Sequence, residues 1–208
     1  MAPMRGLLAL CLLAALSGVA TGCGSEATKA EAAPKVAKPT CPNPGAWQKL
    51  ANSVGYPVYC PGWLPDPLTG KLGAVDNNIH SVSADRSYLE SWIWQETGGG
   101  AAGGELHVNL RAYPGRTKIP ICRTGGSDSR NVPCFASPVG RISANGIASP
   151  VYTVNQDADS WHYLLLWRRY GNLYTLSEHV APPLTGQKVR QYLKHELSSL
   201  VLVRPSAS

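Results

Sequence analysis

The chain has 208 residues with nineteen Lys and Arg against thirteen Asp and Glu, a formal charge of +6 scattered without a basic stripe. That pattern excludes the electrostatic footprint of a nucleic-acid binder and suits life near an anionic membrane surface. Residues 41–208 are enough for one hydrophobic core and little more than one domain.

The first element is a signal peptide over residues 1–22. Arg5 is its positive end, Gly6 to Leu16 its apolar run, and Ala20-Thr21-Gly22 the small residues that a peptidase needs. The run is shorter than the roughly 20 residues required to cross a bilayer, and no later segment approaches that length. Leu16-Ser17-Gly18-Val19-Ala20-Thr21-Gly22-Cys23 resembles the bacterial lipobox, with Ala20 where that motif usually has Leu. The resemblance implies that Cys23 is diacylated and holds the chain on the extracytoplasmic face of the cell membrane. An ordinary secretory signal is the alternative. Two acyl chains suffice for stable anchoring, at about 0.8 kcal/mol per buried methylene. Residues 24–40, GSEATKAEAAPKVAKPT, have no aromatics and carry Pro34 and Pro39, so residues 23–40 read as a lipidated cysteine followed by a flexible tether.

Four cysteines remain for a single domain over 41–208: Cys41, Cys60, Cys122 and Cys134. An even number in an exported chain points to disulfides. Of the three possible pairings, Cys41–Cys60 with Cys122–Cys134 is favoured because both close short local loops. Zinc is the competing reading, but paired C-x-x-C units are missing. No metal or other cofactor is expected.

Asn43-Pro44 predicts a helix start, with Asn43 as N-cap, and Trp47, Leu50, Ala51 and Val54 form one apolar face ended by Gly55. Pro57 to Pro67 reads as extended and irregular, with Trp63 and Leu64 facing the core. Short strands are expected at Lys71 to Ala74 and His80 to Val82. Tyr88 to Gln95 alternates, placing Tyr88, Trp92 and Trp94 on one side and Leu89 and Ile93 on the other. A glycine-rich hairpin loop follows. Glu105 to Tyr113 sends Leu106, Val108, Leu110 and Ala112 inward and His107, Asn109 and Arg111 outward, the mark of a half-buried antiparallel strand. Pro114 to Pro138 is a turn-rich excursion closed by Cys122 and Cys134. Asn145-Gly146 predicts a type I′ hairpin between Val139–Ser143 and Ile147–Val154. Trp161 to Trp167 reads as a central strand, turned at Gly171-Asn172 into Leu173 to Leu176. Thr185 caps a last helix with Val189, Tyr192, Leu193, Leu197 and Leu200 on its apolar face, and Leu200 to Val203 ends as a strand. The fold class is α+β, a curved antiparallel sheet packed like an open half-barrel against an N-terminal and a C-terminal helix.

The five histidines, His80, His107, His162, His179 and His195, show no H-E-x-x-H spacing, and there is no G-x-S-x-G elbow, so a binding protein is favoured over an enzyme. Tryptophans are the more informative set. Most read as core, but Trp92, Trp94, Trp161 and Trp167 lie on predicted strands and form a candidate ligand face for lipid or peptide.

Asn145-Gly146-Ile147-Ala148, then Leu165-Leu166-Trp167 with Gly171, Tyr174, Leu176 and Ser177, then Leu197-Ser198-Ser199-Leu200 carry a further resemblance. Together they are similar to the C-terminal half of an exported sensor-type domain of bacterial anti-sigma-factor proteins. That domain is similar in turn to the outer-membrane lipoprotein carrier fold shared by a periplasmic sigma-regulatory protein. The resemblance implies an unclosed antiparallel barrel around a helix that binds lipid or lipoprotein. It covers about a third of the chain, and the cysteine-bracketed N-terminal part has no counterpart in it. The expectation is an exported, membrane-anchored lipoprotein that binds a lipid, another hydrophobic ligand or an envelope protein without catalysis. The alternatives are an accessory protein with no ligand groove and, third, an extracytoplasmic hydrolase.

Overall fold

The computed structural model describes residues 38–68, 74–76, 78–96, 105–116, 118–123, 129–154 and 161–207. The signal peptide, Cys23 and nearly all of the tether lie outside the described residues, as do Lys71 to Gly73, the glycine-rich hairpin loop and the polar turn before Trp161.

Helix α1 (Pro44–Val54) begins where proline already holds a helical φ. Asn43 stands at the N-cap position in a left-handed conformation, and its side chain caps nothing, so Pro44 alone marks the start. Trp47, Ala51 and Val54 are the buried stripe. Gly55, at φ +76°, closes the helix, its N–H donating to the Ala51 carbonyl at 2.9 Å.

The strands are β1 (Val58–Pro61), β2 (Ala74–Asp76), β3 (Ile79–Val82), β4 (Tyr88–Glu96), β5 (Glu105–Tyr113), β6 (Ile121–Arg123), β7 (Asn131–Pro133), β8 (Gly140–Ala144), β9 (Ile147–Val154), β10 (His162–Arg169), β11 (Asn172–His179) and β12 (Leu200–Val203). Helix α2 spans Gly186–Ser199, with the Thr185 hydroxyl accepting from the Lys188 N–H at 3.3 Å. The main sheet is antiparallel in the order β2-β4-β5-β11-β10-β9-β8, and β3 pairs with the first half of β4 beside β2. Strand β11 is therefore the middle one, flanked by β5 and β10, although β6 to β9 lie between β5 and β10 in sequence. The Asn145-Gly146 turn holds positive φ at both residues, as a type I′ hairpin requires. The turn expected at Gly171-Asn172 falls one residue earlier, at Tyr170-Gly171, also both at positive φ, and Asn172 already begins β11.

Strand alternation divides the sheet into two faces. Tyr88, Val108, Leu110, Ala112, Leu165, Trp167, Tyr174 and Leu176 form the main core with Trp47, Ala51 and Val54 of α1 and Val189, Leu193 and Leu197 of α2. Both helices thus pack on one face. The reverse face carries a smaller apolar cluster at one end, Tyr152, Leu166 and Leu173, covered by Ile119 and Phe135 of the excursion. The excursion pairs β6 with β7 and is closed by Cys122–Cys134.

Cys41–Cys60 is the other disulfide. It fastens the chain ahead of α1 to β1, which pairs in turn with β12, the strand that follows α2. The two bridges point to an oxidising, extracytoplasmic location.

Just past β1, Gly62 donates to the Ser199 carbonyl at 3.1 Å. A Cβ at that position would meet the Ser199 carbonyl oxygen at 2.8 Å and the Thr40 carbonyl oxygen at 2.9 Å. Neither backbone atom can swing aside. Gly62→Ala is therefore expected to destabilise the domain by about 1–3 kcal/mol, the usual cost of overpacking. Urea unfolding checks this, against Gly45→Ala, where a Cβ meets nothing within 4 Å.

Candidate functional site

Two places gather chemistry. The first is an apolar groove on the helix side. About 440 Å³ in volume, it is lined by Trp47 and Leu50 of α1, Trp92 of β4, Pro61 at the end of β1 and Leu64 beyond it. Trp47 and Trp92 stack at 6.3 Å between ring centroids. One polar pair stands among these side chains: Glu90 and His80, adjacent across the β3–β4 ladder and hydrogen-bonded through Nδ1. Burial pushes the Glu90 carboxyl above its ordinary range, and the His80 contact opposes that rise.

A second cleft of about 430 Å³ shares Pro42, Pro61 and Leu64 with the first and is lined further by Trp63, Asp66 and Tyr192. There Trp63 stacks on His195 at 4.1 Å and meets Tyr192 edge-on at 5.6 Å, while Lys188 Nζ lies 4.7 Å above the Tyr192 ring. The two clefts are neighbours across Pro42, Pro61 and Leu64, with aromatic side chains in both, Asp66 lining the second and Lys188 over its Tyr192.

Of the four tryptophans assigned to a ligand face, Trp92 lines this groove. Trp167 is 4% exposed in the main core, stacked on Tyr174 at 5.7 Å and edge-on to Tyr59 at 5.4 Å. Trp94 extends the Trp92 side of β4, half-buried and paired in register with Leu106. Half-buried Trp161, just ahead of β10, packs edge-on against Tyr163 at 5.7 Å. The four do not converge. Trp47 and Trp63, near the N-terminal helix, take their place as groove walls. The chain from 57 to 67 decides this, because it folds Trp63 over α2, and no periodicity in that proline-rich stretch signals it.

The second place is on the reverse sheet face. Its outward-reading positions are not solvated as strand alternation suggests. Ser91 on β4 donates to the Asn109 side-chain oxygen on β5 at 2.6 Å, and Thr175 and Ser177 on β11 are buried beside them. Beyond this polar strip lies a row of three histidines. His107 on β5, His179 on β11 and His162 on β10 stand side by side, because the register opposes Val108 to Glu178 and His162 to His179. Ring centroids are 4.4 Å apart for His107 and His179, 4.4 Å for His107 and His162, and 5.1 Å for His162 and His179.

Glu105, two residues before His107 and so on the same face, completes the group. Its Oε1 lies 2.8 Å from His107 Nδ1 and 3.9 Å from His179 Nδ1. An ionised carboxylate only accepts, so in the neutral ring His107 Nδ1 carries the proton. His107 Nε2 is then the acceptor, and His162 Nε2, its hydrogen-bond partner, is the donor. Burial, and after it the neighbouring His179, lower the His107 pKa, which keeps the ring in its neutral form. Side-chain exposure is 4% for His179 and 15% for His107, so the group is largely withdrawn from water.

No H-x-H or H-E-x-x-H spacing announces this row. Its one sequence signal is a histidine at the same end of three strands, which becomes visible only once their pairing is known. No protein-family model, curated protein or solved structure matches the chain.

Proposed function

We propose that the chain is a lipid-anchored binding protein of the cell envelope whose domain takes the acyl part of a lipid without chemically altering it. The observation that carries this reading is the pair of neighbouring aromatic-lined clefts, one at Trp47 and Trp92 and one at Trp63 and Tyr192, that share Pro42, Pro61 and Leu64. Such clefts are mostly apolar with a few placed polar groups, the ordinary composition of a small-molecule site. An acyl chain would lie along the indoles, Leu50 and Leu64. Lys188, above Tyr192, suits an anionic headgroup at the Trp63 end, and the His80–Glu90 pair offers hydrogen bonds at the other. Lipidation at Cys23 and the tether after it would hold this groove within reach of the membrane that supplies the ligand. The lipid-carrier resemblance of residues 142–203 agrees with the same reading.

Native mass spectrometry of the protein purified from its own host tests the proposal. One copurifying lipid per chain is expected. Vesicles of phosphatidylglycerol with brominated acyl chains should quench tryptophan fluorescence in the delipidated protein. Trp63→Ala, at a half-buried surface position, should weaken that response at least tenfold. A chain that carries no lipid and shows no quenching rejects the groove as a lipid site.

A further inference from the structure

The groove makes no use of the histidine row, which lies on the opposite face of the sheet. We infer that Glu105, His107 and His179 form a binding site for a divalent first-row transition ion of the zinc type.

Three observations carry this. Each residue offers one donor atom, and the three donors lie within 4.8 Å of one another. Tetrahedral zinc with ligands at about 2.0–2.1 Å places neighbouring donors roughly 3.3 Å apart. The contacts from Glu105 Oε1, 2.8 Å to His107 and 3.9 Å to His179, fall on either side of that value. Second, two imidazoles and a carboxylate are the donor set that zinc, copper, nickel and cobalt prefer, whereas calcium and magnesium favour oxygen alone. Third, the donors stand on adjacent strands, Glu105 and His107 on β5 and His179 at the end of β11, just past the last β5–β11 pair of Val108 with Glu178, while β4 pairs with Glu105 and His107 and β10 with His179. Strand pairing therefore holds them together before any ion arrives, as a preorganised site requires.

Ion binding needs two adjustments. The His107 and His179 rings are parallel to within 4°. A shared ion must lie in the plane of both rings, so at least one turns about its Cβ–Cγ bond. His107 Nδ1 must also give up the proton it shares with Glu105. With the proton on Nε2 instead, that N–H donates to His162 Nε2, the reverse of the metal-free direction, and the ring is oriented through the nitrogen that does not ligate.

Isothermal titration of the chelator-stripped full chain with Zn²⁺ tests the inference, with Co²⁺ absorption as the spectroscopic readout of nitrogen–oxygen coordination. One equivalent of Zn²⁺ is expected to bind. Glu105→Gln should weaken it at least tenfold, and His107→Gln or His179→Gln about a hundredfold. His80→Ala and His195→Ala, away from the row, should bind as the parent does. Near-UV circular dichroism reports whether each variant is folded. Glu105, 35% exposed, keeps the test usable if the buried His179 variant does not fold. Absence of stoichiometric Zn²⁺ uptake overturns the inference, and so does unchanged affinity in folded Glu105→Gln and His107→Gln. Trp63→Ala should leave Zn²⁺ binding intact, which separates this outcome from failure of the lipid groove.

Discussion

Replacing Glu196 by glutamine is expected to make the domain more stable than the parent at pH 8 and nearly equal to it at pH 5. Glu196 sits in the apolar stripe of α2 at 0% exposure, and Glu178 of β11 reaches the same space, also at 0%. Among the described residues, none of their four carboxyl oxygens has a hydrogen-bond partner. Burial raises the pKa of both groups well above the ordinary carboxylate range, and for Glu178 the neighbouring Glu196 adds to the rise. The folded state therefore keeps its protons at pH values where the unfolded chain has released them. Stability is fully present below about pH 4.5 and is lost as pH rises toward the folded values, by up to about 1.4 kcal/mol per pH unit for each retained proton. Glutamine preserves shape and neutrality but has no proton to lose, so one proton's share of that slope disappears. Across pH 5 to 8 the cumulative difference is up to about 4 kcal/mol. Thermal unfolding of parent and variant at several pH values measures it. A difference in Tm that does not change with pH would show that the carboxyl is not held neutral.

Cys41→Ala with Cys60→Ala should cost more stability than Cys122→Ala with Cys134→Ala. The two bridges span 19 and 12 residues, and loop entropy alone assigns each about 3 kcal/mol. Packing separates them. Cys60 is 0% exposed within the main core, and β1, which contains it, pairs with β12 and so closes the domain on itself. Cys122 is exposed on the β6–β7 ribbon, which joins the rest of the fold chiefly through Ile119 and Phe135. Losing the first bridge leaves a core void as well as a looser unfolded chain, so a Tm decrease of about 6–12 °C is expected, at 2–4 °C per kcal/mol for a domain of this size. The second should fray the excursion with a smaller shift. Calorimetry of the two double variants checks the order, and equal decreases would refute it. The first pair of substitutions should also impair lipid binding, because Pro42 and Pro61, beside the bridged cysteines, line the groove.

Much of the architecture is written locally. Period-two alternation in residues 105–113 separates Val108 and Leu110 from His107 and Asn109 without reference to any other part of the chain. Thr185, Gly55 and Asn145-Gly146 mark ends and turns because each meets a backbone requirement within a few residues of itself. The close spacing of the cysteines likewise favoured the pairing that the structure contains. Asn43 is the local exception, since its left-handed backbone turns the side chain away from the helix it was expected to cap.

What depends on distant neighbours is not legible in this way. Alternation labels His107 as outward but does not reveal that its neighbours across the sheet are histidines 55 and 72 positions later. That follows from β11 entering between β5 and β10, a consequence of how the whole sheet buries its helix-facing side. Glu196 reads as an ordinary helix glutamate until α2 is laid on the sheet opposite Glu178. The tryptophans follow the same division. Sequence marks them as apolar strand and helix residues, while packing decides that Trp167 fills the core and that Trp47, Trp63 and Trp92 line the groove. The physical reason is range: propensity, capping and alternation act over a few residues, whereas a site is made by side chains that only strand register and helix docking bring together.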